Sequence, residues 1–77
     1  MIKVFVRFYE ELNDFIRADW RKRQIERQLG HRTTTKDLIE SFGVPHTEVD
    51  LILVNGVSVD FAHRVDDGDI ISVYPVF

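Results

Sequence analysis

Hydrophobic and polar positions alternate from the start of this chain. Ile2, Val4, Val6 and Phe8 interleave with Lys3, Phe5, Arg7 and Tyr9, a period of two that predicts a strand from Ile2 to Phe8 with one face in a core. The period then changes. Leu12, Phe15 and Ile16 stand three and four apart, which predicts one or two helical turns over Glu10 to Ile16, packed on the end of a sheet. Arg17 to Arg23 is too charged to bury and reads as an exposed loop, with Trp20 as the one large apolar residue in it. From Gln24 to Leu29, Ile25, Arg27 and Leu29 share a face, a poor alternation that suits an edge strand.

Gly30 ends that strand, and Thr33, Thr34 and Thr35 supply capping side chains. With Thr34 as N-cap, Asp37 falls at the third helical position, where its carboxylate answers free backbone N–H groups and the helix dipole. Leu38, Ile39 and Phe42 give the apolar stripe of a short helix from Thr35 to Phe42, with Gly43 just past its end and Pro45 blocking further propagation. The string LILVNGVSVDF, residues 51 to 61, predicts a β-hairpin around Asn55 and Gly56. Its two-residue turn sets Val54 opposite Val57 and Ile52 opposite Val59, with Phe61 extending that core-facing side. Leu51, Leu53, Ser58 and Asp60 face the other way. Asp66 to Asp69 is a turn, and Ile70 to Val76 is the last strand, with Ile71 and Val73 on one face and Ile70, Ser72 and Tyr74 on the other. Pro75 implies that this strand's end is not fully paired.

The order is strand, strand, helix, strand, strand, strand. It predicts an α+β fold: a mixed sheet of four to five strands with one main helix on one face and nothing left to cover the other. That is the ubiquitin-like β-grasp arrangement. At 77 residues and 44% hydrophobic content the chain is expected to form one domain, residues 1–77, with a single modest core. There is no cysteine, so neither disulfides nor thiolate zinc supply stability, and a reducing compartment fits. No run of about 18 apolar residues suggests a membrane span, and no apolar run after Lys3 suggests a secretion signal, so the expected location is cytoplasmic with no membrane partner.

A net charge of −3 conceals a polarised chain. Between Arg17 and Lys36, seven cations face only Asp19 and Glu26, whereas from Asp37 onward Arg64 alone opposes eight carboxylates.

The opening MIKVFVRFYEEL and the closing LILVNGVSVDF and VDDGDIISVYPVF resemble the sulfur-carrier branch of the ubiquitin-like fold, the small subunit of molybdopterin synthase and its thiamine-pathway relative. A narrower resemblance rests on DLIESFGVPHTEVDLILVNGVSVDF and DGDIISVYPVF, in which GVPHTEVDLILVNG is uninterrupted. It is to the ubiquitin-like domain found N-terminal to a PIN-like RNase domain, the Mut-seven C-terminal RNase. Residues 2–9 and 36–77 carry these resemblances; the basic stretch from Arg17 to Arg32 does not. Sulfur carriage in the first branch needs a flexible Gly-Gly end whose carboxylate reaches into a partner enzyme, and this sequence ends Tyr74, Pro75, Val76, Phe77. The second resemblance implies a non-catalytic interaction module associated with an RNase or RNA-processing partner, in cis or in trans.

Five groups of residues compete for a functional role. The Asp66, Asp67 and Asp69 carboxylates suggest a metal site, but the roughly twelve-residue calcium loop with its terminal Glu is absent, so a tight turn is expected. His31, His46 and His63 lack a partner at ligand spacing, and Ser41, Ser58 and Ser72 lack nucleophile-elbow glycines. No catalytic residue, metal ligand or cofactor is therefore expected. Arg17, Arg21, Lys22, Arg23, Arg27 and Arg32 around Trp20 combine phosphate-neutralising charge with a ring that can stack a base, a candidate RNA contact weighed against a solvated loop with an anchoring Trp. Phe5, Leu51, Leu53, Ile70 and Tyr74, with Phe77 beyond them, fall on the uncovered sheet face and form a candidate protein interface.

Overall fold

A computed structural model of the protein describes residues 1–76. Five strands form one sheet: β1 (Ile2–Phe8), β2 (Ile25–Leu29), β3 (Val49–Val54), β4 (Val57–Val59) and β5 (Ile70–Pro75). The spatial order is β2-β1-β5-β3-β4. β1 runs antiparallel to β2 and parallel to β5, and β3 runs antiparallel to both β4 and β5. The central parallel pair joins the first strand to the last. The chain reaches the far side of β5 through the helix α1 (Thr35–Ser41), which covers one sheet face. The fold is the ubiquitin-like β-grasp expected from the element order. Among the described residues, no helix is long and apolar enough to cross a membrane.

The alternation in β1 is realised as expected, with Val4, Val6 and Phe8 buried beneath α1. Leu38, Ile39 and Phe42 meet them from the helix, joined by Leu12, Ile16, Ile52, Val54, Ile71 and Val73 in one apolar cluster. Each fully buried Leu, Ile, Val or Phe contributes on the order of 1.5–3 kcal/mol of burial free energy, so this cluster is the main stabilising element of a cysteine-free chain. The Thr34 hydroxyl accepts the Asp37 N–H at 3.2 Å and caps α1 as its sequence predicts. The other end turns away at Gly43, whose φ of +94° suits a residue without a side chain.

Two expectations fail locally. Residues Glu10–Phe15 wind as a 3-10 helix; Leu12, Asn13 and Ile16 face inward and Phe15 is 44% exposed. With three residues per turn, Asn13 and Ile16 share the inner side, a place that an α-helical stripe assigns to Phe15. In the hairpin, Val54 opposes Val57 and Ile52 opposes Val59 in the expected register, yet Val57 is 65% exposed. β4 is the sheet's outer strand and carries Val57 beyond the reach of α1. The segment from Arg17 to Arg23 is exposed as expected, apart from the half-buried Trp20, and holds a single 3-10 turn, Ala18–Trp20.

Candidate interaction surface

The face of the sheet opposite α1 is built by the second residue of every strand alternation. Phe5 lies beside Ile70 across β1 and β5, Arg7 beside Ser72, Leu53 beside Ser72 across β5 and β3, and Leu51 beside Tyr74. The expected apolar residues are therefore brought together. Phe5, Leu53 and Tyr74 are half-buried by their neighbours, whereas Leu51 and Ile70 are 37% and 48% exposed. Leu51 joins this face although Val49, two residues earlier, is buried. A register shift between Val49 and Leu51 inserts Asp50 as an extra residue opposite the junction of Tyr74 and Pro75, and so resets the alternation. Pro75 itself pairs with Val49 and is buried. Phe77, expected to extend the patch, lies outside the described residues.

The polar rim of this face comes from β1 and β2. Lys3 and Glu26 form an exposed ion pair at 3.6 Å. Tyr9, just past β1, stacks on Tyr74 with ring centroids 4.4 Å apart and planes 11° from parallel. Loss of solvation and the Tyr9 hydroxyl together raise the Tyr74 phenol above its ordinary range, against a smaller opposing pull from Arg7. Arg7 and Tyr9 were not among the residues singled out from sequence. The signal that finds them is their phase, which is that of Phe5.

The basic segment is partly engaged with the protein's own side chains and backbone. The Trp20 ring packs edge-on to Phe42 at 5.3 Å, with the Arg17 and Arg27 guanidiniums 4.7 and 5.5 Å from its centroid. Arg27 also lies 3.9 Å from the Phe42 centroid and donates to Ser41 Oγ at 3.0 Å. This stack is how an arginine occupies an inward-phased position on β2. Burial lowers its pKa. Arg17 also forms a double hydrogen bond to Asp19, and Arg21 Nε donates to the Ile16 carbonyl. Arg32 pairs with Asp66 at 2.7 Å. The Trp20 ring thus already has Phe42, Arg17 and Arg27 as neighbours, and Lys22 and Arg23 are the residues of this group with no side-chain hydrogen bond or ion pair among the described residues.

The acidic turn is a clasp. Asp67 Oδ1 accepts the Lys3 N–H at 2.7 Å, and the buried Asp69 carboxylate accepts the Asp66 N–H at 2.7 Å and the Asn55 amide at 2.9 Å. Its oxygens thus hold β1, β5 and the hairpin turn in register. His46 Nδ1 pairs with Glu40 at 2.6 Å, and its ring packs edge-on against Phe61.

Compared with known proteins, residues 1–77 match the family described as Mut7-C ubiquitin. The match includes the basic stretch that the sequence resemblance left out. Among curated proteins no relative matches. Solved structures with the same fold include a putative molybdopterin converting factor, subunit 1, from Pyrococcus furiosus, 24% identical over all of both chains with a TM-score of 0.73. Small archaeal modifier protein 1 of H. volcanii also covers both chains fully, at 13% identity and a TM-score of 0.73.

Proposed function

This chain belongs to the Mut7-C ubiquitin family, and from that premise we propose that it is a non-catalytic interaction module that docks an RNase or RNA-processing partner, in cis or in trans. The observation that carries the reading is the contiguous open face of Phe5, Ile70, Leu53, Leu51 and Tyr74. A sheet face of this composition, rimmed by charge and stacked tyrosines, suits a protein contact. The RNase identity of the partner comes from the resemblance of the GVPHTEVDLILVNG segment to the domain that accompanies PIN-like RNases.

The test is calorimetric titration of this chain with a Mut-seven C-terminal RNase domain. Binding is expected to be lost in Leu53→Glu while the circular dichroism spectrum is retained. Absence of binding by the unaltered chain in titrations at two well-separated temperatures, or unchanged binding by Leu53→Glu, would refute the reading. Direct RNA binding through Arg21, Lys22 and Arg23 is the alternative, distinguished by steep salt dependence and by loss on changing those three to Glu. Lys22 and Arg23 supply its support, while the Arg17, Arg27 and Phe42 side chains already packed near the Trp20 ring weigh against base stacking. A sulfur-carrier role has the fold of the putative converting factor behind it, and is tested by whether the native reading frame continues past Phe77 to a Gly-Gly end.

A further inference from the structure

β1 places an arginine at the edge of an otherwise apolar patch. Arg7 shares the phase of Phe5, lies beside Ser72 of β5, and holds its guanidinium 5.1 Å from the centroid of Tyr9, which stacks on Tyr74. Among the described residues it has no ion-pair partner. Beside it opens a cleft of about 240 Å³ lined by Arg7, Phe8, Tyr9, Glu10, Asn13 and Lys22. Asn13 builds the floor. Its buried amide donates to the Phe8 and Glu10 carbonyls at 3.1 and 2.9 Å, and its Oδ1 accepts the Lys22 N–H at 2.8 Å, which fixes Lys22 at the cleft with φ of +58°. Two cations there face one carboxylate, Glu10.

We propose that this cleft receives a carboxylate side chain of the docked partner protein, presented between apolar side chains that lie on Phe5, Leu53, Ile70 and Tyr74. The inference rests on the docking reading above and names the partner's chemistry. Charge complementarity selects a single carboxylate over a phosphate backbone. Glu10 lines the cleft, Glu11 and Asp14 stand on the same 3-10 turn, and the chain carries a net charge of −3, all of which repel a polyanion. An arginine beside stacked tyrosines is also the residue combination on which binding energy concentrates at protein interfaces.

The experiment is selection of a phage-displayed random peptide library on the whole chain, followed by calorimetry with synthesised winners. Expected winners carry Asp or Glu flanked by apolar residues. Arg7→Ala is expected to weaken them about 30-fold or more, and Lys22→Ala by less. Changing the peptide's acid to its amide should weaken binding to the unaltered chain equally, yet have little further effect on Arg7→Ala. Winners that need no acid, and that lose binding with Leu53→Glu but not Arg7→Ala, would overturn this inference while leaving the docking face intact. Winners insensitive to both substitutions, or no winners at all, would overturn both. Salt-sensitive binding of oligouridylate that depends on Arg7 and Lys22 would replace the carboxylate with a nucleic-acid phosphate.

Discussion

Asn55 serves both a local turn and a distant strand. Its φ of +52° is what the two-residue hairpin turn requires, and its side chain accepts the Ile70 N–H and donates to Asp69, both at 2.9 Å. Asn55→Gly keeps the backbone conformation, deletes those bonds and loosens the unfolded chain, so urea denaturation should show a loss of about 1–2 kcal/mol. Asn55→Ala should lose about 1 kcal/mol more, because alanine resists the left-handed region; equal losses would mean that the backbone carries no strain. Glu40 poses a separate, pH-dependent case. The side-chain hydrogen bond from His46, followed by its backbone N–H at 3.3 Å, holds the Glu40 carboxyl below the ordinary carboxylate range. Because the folded value is the lower one, this contribution to stability is complete above the ordinary carboxylate range and disappears as pH falls through the depressed value. In His46→Ala, a carboxyl-carbon NMR titration should show Glu40 returning upward; an unchanged midpoint would remove His46 as the cause.

Among the elements, α1 shows how much of the fold is legible in sequence. Thr34, Asp37 and Gly43 announce its two ends because capping chemistry is local: one hydroxyl, one carboxylate and one glycine at fixed spacing. Gly43 has a second reason that no local pattern reveals. A Cβ there would stand 3.2 Å from the Phe15 carbonyl, on top of the positive φ, so Gly43→Ala should lower stability by about 1–2 kcal/mol in thermal or urea unfolding. A neutral result would mean that the 3-10 turn yields at low cost. β1 and the hairpin were equally legible, since alternation and the Asn-Gly turn set their registers. The bulge at Asp50 was not, because it depends on how β3 meets Pro75 of a distant strand. The exposure of Val57 was hidden for a similar reason: pairing partners can be read from a turn, but which strand lies outermost is a property of the finished sheet.

On the scale of the whole molecule, the helix leaves one face of the sheet uncovered, and the proposed function follows from that asymmetry. That Phe5, Leu51, Leu53, Ile70 and Tyr74 share the open face was recoverable from alternation alone, since period two assigns faces without knowledge of the partner strand. What alternation could not supply was the Arg27, Trp20 and Phe42 stack on the helical side, because side chains remote in sequence meet there only after folding. The stack converts part of the sequence's basic segment into a lid on the core. Arg27→Leu should accordingly preserve or raise the unfolding midpoint, as burial of the guanidinium is replaced by apolar packing; a fall of several degrees would show that its stacking and its bond to Ser41 outweigh the desolvation. The central claim, docking through the open face, is tested most directly by mapping backbone amide NMR shifts as a Mut-seven C-terminal RNase domain is added to the labelled chain. The account expects perturbations centred on Phe5, Arg7, Leu53, Ile70 and Tyr74, with α1 silent; perturbations confined to α1 and the Arg17 to Arg23 loop would contradict it.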